Sequence, residues 1–250
     1  FIAPNPTIPP MSAAALAALL RERQPCVVLT GAGVSTESGI PDFRSPTGIW
    51  AEVDPFEVAS IQAFRRDPER VWRFYRERIH LLRDAEPNSA HRALAELERR
   101  GVVAAVVTQN IDTLHSRAGS REVVEVHGSI RSARCLRCLW SEPADAVLAQ
   151  LETAPAPLCP HCGEVLKPGV VLFGELLPAA EMERATQLAR SARLVLVVGS
   201  SLEVWPVAGL PLEACAFAIV NRGPTALDDH ALLKVDAGAS ETLSKVLDAL

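Results

Sequence analysis

What this sequence has little of narrows the field first. Lysine is nearly absent: of 25 basic residues only Lys167, Lys234 and Lys245 are lysines. With so much alanine, that bias reads as the mark of a GC-rich genome rather than of a function. Positive charge is not in excess, since the formal net charge is -5, and a chain without a basic balance lacks the electrostatic footprint of a DNA- or RNA-binding domain. No apolar run approaches the roughly 20 residues that span a bilayer. The opening FIAPNPTIPP lacks the charged-then-apolar layout of a secretory signal. The expectation is a cytoplasmic protein with no membrane partner. Internal repeats and low-complexity tracts are missing as well. What is there, 48% hydrophobic residues over 250 positions, suffices to bury a substantial core and excludes a disordered chain. The length suits one large domain, or one domain carrying insertions.

Short apolar runs of strand length recur: CVVLT at 26–30, VVAAVV at 102–107, EVVEV at 122–126, RLVLVV at 193–198 and AFAIV at 216–220. They are rich in valine and do not alternate with polar residues, as strands covered on both faces of a parallel sheet do not. Helical segments lie between them. One begins at Asp67, an N-cap followed by Pro68 at the first helical position. Another begins at Asn88 and stops at Gly101. Strands alternating with helices predict an α/β, doubly wound parallel sheet. Two stretches break the alternation: residues 45–90 are helical with no strand candidate, and residues 129–168 carry paired cysteines and several prolines. These insertions are expected to form a smaller domain, with a helical module at 45–90 and a zinc-ribbon module at 129–168. The main domain is then assembled from residues 1–44, 91–128 and 169–250.

Four of the six cysteines form two C-x-x-C pairs, Cys135 with Cys138 and Cys159 with Cys162, about 20 residues apart, a spacing that suits a four-thiolate zinc ribbon. In a cytosolic chain such pairs argue for metal rather than disulfides. Four thiolates fill a tetrahedral Zn2+ and leave no position for water, so the ion is expected to be structural. It would fold a segment too small to hold a core alone. His161 is read as a bystander. Arg131, Arg134 and Arg137 nearby keep nucleic-acid binding by the ribbon as an alternative. Cys26 and Cys215 are read as buried packing.

Directly after the first strand comes Gly31-Ala32-Gly33-Val34-Ser35, running on to Asp42-Phe43-Arg44. Two glycines let a backbone turn tightly and approach a pyrophosphate, whose oxygens bare N–H groups can bind. The third glycine of the G-x-G-x-x-G fingerprint is missing, with Thr36 in its place, which argues against an ordinary NAD dehydrogenase. Other polar or small segments also follow strands: Thr108-Gln109-Asn110-Ile111-Asp112, His127-Gly128, Gly199-Ser200-Ser201 and Asn221-Arg222. All would converge at the carboxyl edge of the sheet, where α/β folds place ligands.

Taken together, GAGVSTESGIPDFRS, TQNIDTLH, the His127-Gly128 pair, the four cysteines, VVLFGE and GSSLEVWP resemble the sirtuin family, in that family's order, over about residues 26–222. The resemblance implies a Rossmann-like NAD-binding domain with a small helical and zinc domain. It also implies an enzyme that consumes NAD to remove acyl groups from protein lysines. By the same resemblance, His127 is the general base that activates a ribose hydroxyl, work that suits a side chain titrating near neutrality. Asn110 and Asp112 belong to the nicotinamide pocket, and Gln109 lies beside the ribose. Gly31, Ala32, Gly33, Phe43 and Arg44 belong to the cofactor loop, with Phe43 shielding the reactive ribose carbon. Gly199, Ser200, Ser201 and Asn221 lie on the phosphate and adenosine side. Val171, Phe173, Gly174 and Val204 match two edges between which an extended acyl-lysine peptide adds as a strand, read through its backbone. Asp42 and His115 are weighed evenly between such roles and local turn or packing needs. In the implied reaction the acyl oxygen attacks the nicotinamide-bearing carbon, nicotinamide leaves, and water finally releases lysine and O-acyl-ADP-ribose. No hydride moves.

In the segment Val71-Trp72-Arg73-Phe74-Tyr75-Arg76-Glu77-Arg78, Tyr75 and Arg78 are three residues apart and share a helix face. A phenol with a guanidinium makes a carboxylate receptor, and this Tyr-x-x-Arg resembles the subgroup that removes succinyl and malonyl groups. The expectation is acidic acyl-lysine as substrate with some deacetylation remaining. Two rivals stand beside it: a mono-ADP-ribosyltransferase using the same NAD cleavage, and a non-catalytic NAD- or nucleic-acid-binding module.

Overall fold

A computed structural model describes residues 12–250; the opening FIAPNPTIPP, with its expected lack of a signal, lies outside the described residues. In chain order the helices are α1 (Ala13–Arg23), α2 (Pro55–Val58), α3 (Ile61–Arg66), α4 (Pro68–Asp84), α5 (Ser89–Arg99), α6 (Leu114–Arg117), α7 (Ala144–Leu151), α8 (Ala179–Ser191) and α9 (Ala239–Ala249). The strands are β1 (Cys26–Thr30), β2 (Val103–Thr108), β3 (Val123–Glu125), β4 (Gly128–Cys135), β5 (Ser141–Pro143), β6 (Leu166–Val170), β7 (Val195–Val198), β8 (Phe217–Val220) and β9 (Leu233–Val235). Six strands form one parallel sheet in the order β3-β2-β1-β7-β8-β9, and three form an antiparallel sheet in the order β5-β4-β6. Strand order reverses between β1 and β7, and crevices for ligands open beyond the carboxyl ends of strands at such a reversal.

Both faces of the large sheet are covered, which is why its strands read as continuous apolar runs. Val28, Val106, Leu196 and Ala218 pack with α1, α5 and α9 on one face. Their neighbours Val27, Leu29, Val107, Val197 and Ile219 pack with α8 and the 3-10 segment Val207–Glu213 on the other. The helix starts read from the sequence are realised. Asp67 accepts a hydrogen bond from the Arg70 amide with Pro68 in the first turn. Asn88 heads α5 in a reciprocal capping box whose second member is His91, and Gly101 follows the helix at φ +77.

Two features of the main sheet were not foreseen. The sixth strand, β9, is three residues long with Lys234 in its centre, and a short edge strand carrying a charge gives no apolar run to detect. Cys215 is exposed, contrary to the expected buried packing, because it sits in the turn before β8; Cys26, at the start of β1, is buried. Burial pushes the Cys26 thiol up to about 12, so it is inert packing.

The two stretches that break the alternation share one core. Ile61, Phe64, Val71, Trp72, Tyr75 and Ile79 pack against Ala133, Val147, Leu151, Leu166 and Val170. The small sheet overruns the 129–168 segment at both ends, since Gly128 pairs with Val170. Trp72 fastens helices to sheet: fully buried on α4, it donates from Nε1 to the Leu166 carbonyl at 2.6 Å. Among the described residues no helix is long and apolar enough to cross a membrane. Trp72→Phe should lower stability by about 1–3 kcal/mol from that hydrogen bond alone, with the smaller ring adding to the loss. Urea denaturation measures it, and an unchanged midpoint would mean that the indole contributes packing of no consequence.

Candidate active site

The crevice beyond β1 and β7 exists because two loops touch backbone to backbone. Gly33 donates its amide to the Gly199 carbonyl at 2.8 Å, and a Cβ at Gly33 would lie 2.9 Å from the Gly199 Cα. A Cβ at Gly31 would lie 2.8 Å from the Gly199 carbonyl oxygen. Gly199 itself is left-handed at φ +62, with only 2.2 Å to the Val34 amide nitrogen from any Cβ it carried. The glycines therefore serve first to press loop against loop. The amides of Gly31, Gly33, Val34 and Ser35 are all bonded within the protein, so this is not the bare row of donors that the motif suggested. No α-helix follows β1; two 3-10 turns, Ala32–Val34 and Thr36–Ser38, take its place. Thr36 stands where a third glycine is missing and closes its turn by donating from Oγ1 to the Gly33 carbonyl at 3.0 Å.

Behind the crevice lies a buried polar network. Asn110 donates from Nδ2 to the Gly31 carbonyl (3.2 Å) and to Ser35 Oγ (3.1 Å), and Ser35 Oγ donates to Asp112 Oδ2 at 2.7 Å. The other carboxylate oxygen accepts the Leu114 amide at 2.9 Å, across the left-handed Thr113. Further back, His115 Nε2 contacts Thr30 Oγ1 at 2.9 Å, and Thr30 donates to Thr108 Oγ1, which also accepts the Asn110 amide. Because Thr30 spends its proton on Thr108, His115 must donate from Nε2, leaving Nδ1 as a lone pair with no partner in the protein. His91 lies against Ser35 at 3.4 Å and against the His115 ring at 4.8 Å between centroids. Burial holds both histidines neutral, His91 at about 4 and His115 at about 3. Of the two residues left undecided, His115 thus belongs to the packed network. Asp42 caps a turn by accepting the amides of Arg44 and Ser45.

His127 leaves β3 and faces the crevice, half-buried. Its Nδ1 lies 3.0 Å from the Gln109 carbonyl. A carbonyl only accepts, so Nδ1 carries the proton and Nε2 presents a lone pair. Burial lowers its pKa below the ordinary histidine value; the Gln109 carbonyl opposes that shift and the Arg44 guanidinium adds to it. Gly128 is required next to it: at φ +74 a Cβ would lie 2.3 Å from the Gly169 carbonyl oxygen. Gln109 donates from Nε2 to Ser200 Oγ at 3.0 Å and so links the loops after β2 and β7. Ser201 donates to Glu203 at 3.3 Å. Asn221 is turned back onto its own loop, donating to the Arg222 and Gly223 carbonyls.

The mouth of the crevice is aromatic. Phe43 stacks on Trp50 at 5.2 Å, Trp50 on Phe74 at 6.2 Å, and Phe74 meets Tyr75 edge-on at 5.2 Å. Arg78 lies over both Phe74 (4.7 Å) and Phe43 (5.8 Å). Arg44 pairs with Glu203 at 3.3 Å across the opening. Tyr75 is buried, and burial raises its pKa, while Arg78 is half-buried with its pKa lowered, again by burial first. Among the described residues, Arg78 has no carboxylate partner and the Tyr75 hydroxyl no hydrogen bond. The 171–174 edge is largely bonded already: the Val171 amide donates to the His127 carbonyl (2.8 Å), Leu172 to Glu175, and Phe173 exchanges bonds with Ala59 and Ile61. Among the described residues, that leaves the Val171 carbonyl and the Gly174 amide without a hydrogen-bond partner. Val204, in the loop after β7, is half-buried beside exposed Trp205.

Away from the crevice, Cys135, Cys138, Cys159 and Cys162 bring four Sγ atoms within 4.8 Å of one another, with separations of 3.5, 3.5 and 3.6 Å for three of the pairs. Thiolates at Zn–S of about 2.3 Å in a tetrahedron lie roughly 3.8 Å apart, whereas disulfide sulfurs lie about 2.05 Å apart. The cluster fits a structural Zn2+. His161 packs its ring at a tilt against Trp140, 4.1 Å between centroids, and stays outside the cluster.

Ser35, His91 and Trp50 belong to the site without having been singled out from the sequence. Ser35 lay inside a quoted motif, and His91 was detectable only as the third residue of a capping box. Trp50 falls in a loop that gives no periodic signal.

A sequence model described as "Sir2 family" matches residues 31–206. An "NAD-dependent protein deacetylase" of Caldivirga maquilingensis is 46% identical over 93% of this chain and 91% of its own length. An "NAD-dependent protein deacylase 1" of Archaeoglobus fulgidus is 47% identical over 91% and 94%. The solved structure "Sir2-p53 peptide-NAD+" superposes with a TM-score of 0.88 at 41% identity, over 95% of this chain and 98% of that one.

The buried histidines make stability depend on pH in a fixed direction. Each is neutral in the folded chain down to about 4 or about 3, whereas an unfolded chain protonates histidine below about 6.5. The unfolded state therefore binds more protons below that pH, and stability falls as pH drops through it, by up to about 1.4 kcal/mol per pH unit for each histidine. Urea midpoints of the wild type and His115→Phe between about pH 7 and pH 5 should show a shallower fall in the variant; identical slopes would mean that His115 does not stay neutral.

Proposed function

The chain belongs to the Sir2 family, and from that premise we propose that it removes acyl groups from protein lysines while consuming NAD, yielding nicotinamide, O-acyl-ADP-ribose and free lysine. The observation that carries this reading is the histidine at the crevice: His127 has its Nδ1 proton fixed on the Gln109 carbonyl and its Nε2 lone pair free. Bound NAD supplies an electrophilic ribose carbon and nicotinamide as leaving group. The residues of this chain do the rest. Nε2 of His127 accepts the proton of a ribose hydroxyl. Asn110 and Asp112, held by Ser35, take the nicotinamide carboxamide, and Gln109 sits beside the ribose. Gly31, Ala32, Gly33, Arg44, Gly199, Ser200, Ser201 and Asn221 line the phosphate and adenosine side. Phe43 keeps water from the reacting carbon, a protective task while a reactive centre is exposed. Cys135, Cys138, Cys159 and Cys162 hold Zn2+ as a structural ion. The acyl-lysine peptide lies between the edge at Val171, Phe173 and Gly174 and the edge at Val204, taking the open Val171 carbonyl and Gly174 amide.

For the acyl group, Tyr75 and Arg78 support an acidic chain, succinyl or malonyl, alongside acetyl. An unpaired guanidinium over two aromatic rings and an unbonded phenol, side by side, form a receptor that lacks only its carboxylate. Relatives carry both deacetylase and deacylase names, and a related structure is described as bound to a propionylated peptide.

Purified protein with NAD and matched acetyl- and succinyl-lysine peptides, followed by mass spectrometry, should lose the acyl groups. His127→Ala should cut turnover by about 10²- to 10⁴-fold. Label from NAD retained on protein, with no soluble acyl-ADP-ribose, would favour ADP-ribosyl transfer instead. Tyr75→Phe with Arg78→Met should lower succinyl kcat/KM by roughly 10- to 100-fold, the worth of charge-assisted hydrogen bonds, and spare acetyl; equal loss of both would rule out the acidic-acyl reading. Because the base works as the neutral ring and its pKa is depressed, the acid limb of kcat/KM should have its midpoint below the ordinary value of about 6.5. A midpoint above that value would contradict the assignment.

A further inference from the structure

Lys167 is the one buried lysine of three, only 5% exposed, on β6. Burying an ammonium costs several kcal/mol unless its donors are matched, and here all three are. Nζ donates to the carbonyls of Pro168 (2.9 Å) and Val170 (2.6 Å), and lies 3.0 Å from Glu175 Oε2. The same carboxylate oxygen accepts the Leu172 amide at 2.8 Å, and the Glu175 amide returns to the Leu172 carbonyl. The result is a closed clamp: one cation grips the last carbonyl of β6 and, through Glu175, the far end of the turn 171–174. That turn is anchored from outside at the His127 carbonyl and at Ala59 and Ile61. Gly174 completes it at φ +86, with Gln62 3.0 Å from where a Cβ would stand.

We propose that Lys167 is a positioning residue for the acyl-peptide edge, setting the Val171 carbonyl and the Gly174 amide in register with His127. This rests on reading 171–174 as that edge. An apolar side chain would fill the same place at no desolvation cost, but it would leave the Pro168 and Val170 carbonyls and the Glu175 carboxylate uncompensated, so the turn would lose its set geometry. The role is asymmetric. The two carbonyls need a donor at 167, so exchanging the charges does not rebuild the clamp.

Lys167→Met, Glu175→Gln and the exchanged pair Lys167→Glu with Glu175→Lys decide it, each checked for zinc content and thermal midpoint. In Lys167→Met the apparent KM for acyl peptide should rise about tenfold or more, as loss of a charge-assisted hydrogen bond predicts. KM for NAD and kcat at saturating peptide should change far less. Hydrogen exchange should quicken by a similar factor at the amides of Leu172, Phe173 and Glu175, and not in β1 or β7. Glu175→Gln, which keeps an acceptor for Leu172, should show a smaller change of the same kind and serves if Lys167→Met does not fold. The exchanged pair should behave no better than Lys167→Met. A lowered thermal midpoint with wild-type KM for peptide, unchanged exchange over 171–175, or rescue by the exchanged pair would each overturn the proposal. A wild-type protein that turned over no acyl peptide would count against the deacylase reading, while the exchange data would still decide on the clamp.

Discussion

The crevice depends on a contact with no side chain in it. Gly31 and Gly33 lie against Gly199 so closely that a methyl group on any of them would meet backbone at less than 3.0 Å. Backbone cannot give way as the end of a flexible side chain can, so the strand-order reversal at β1 and β7 is usable only while these three positions stay bare. Everything else in the site is measured from that contact: Asn110 reaches the Gly31 carbonyl, Gln109 reaches Ser200, and Ser35 begins where the first turn ends. Of the three glycines only Gly199 takes a left-handed backbone, which glycine adopts without a Cβ penalty.

Around that contact the protein buries polar groups and satisfies them almost completely. A buried carboxylate, two neutral histidines, two threonines, a serine and an asparagine form one network in which nearly every donor has an acceptor. Such networks specify a geometry because partial satisfaction is costly. Asp112 accepts from Ser35 and from the Leu114 amide, and those two bonds leave its orientation no freedom. Neutral histidines at His91 and His115 keep a second charge out of the same volume.

Much of this was legible in the sequence, and the reasons differ from element to element. Parallel strands buried on both faces announce themselves by valine runs, and Asp67-Pro68 and Asn88 mark helix starts by local chemistry that the tertiary structure does not override. The four cysteines could be paired with a metal because spacing alone brings two knuckles together. Long-range geometry was not legible. Lys167 reads as an ordinary lysine until β6 and the following turn fold its carbonyls around it. Gly31 and Gly33 read as phosphate glycines until the loop after β7 lies against them. Cys215 reads as apolar because alanine and phenylalanine surround it, although it sits in a turn before the strand begins. β9 was invisible, since an edge strand needs apolar residues on fewer positions and can carry a lysine in its middle.

The ion pair between Arg44 and Glu203 joins the loop after β1 to the loop after β7, with side chains 39% and 55% exposed. On the assignment proposed above, Arg44 meets phosphate, so the guanidinium that greets an incoming dinucleotide is already engaged. Entry is then an exchange of one anion for another around a fixed cation, and the free energy gained is the difference between two attractions. Such an exchange also releases a carboxylate on the opposite wall at the moment the cofactor settles. On that assignment the dinucleotide site and the wall opposite it share a single counterion.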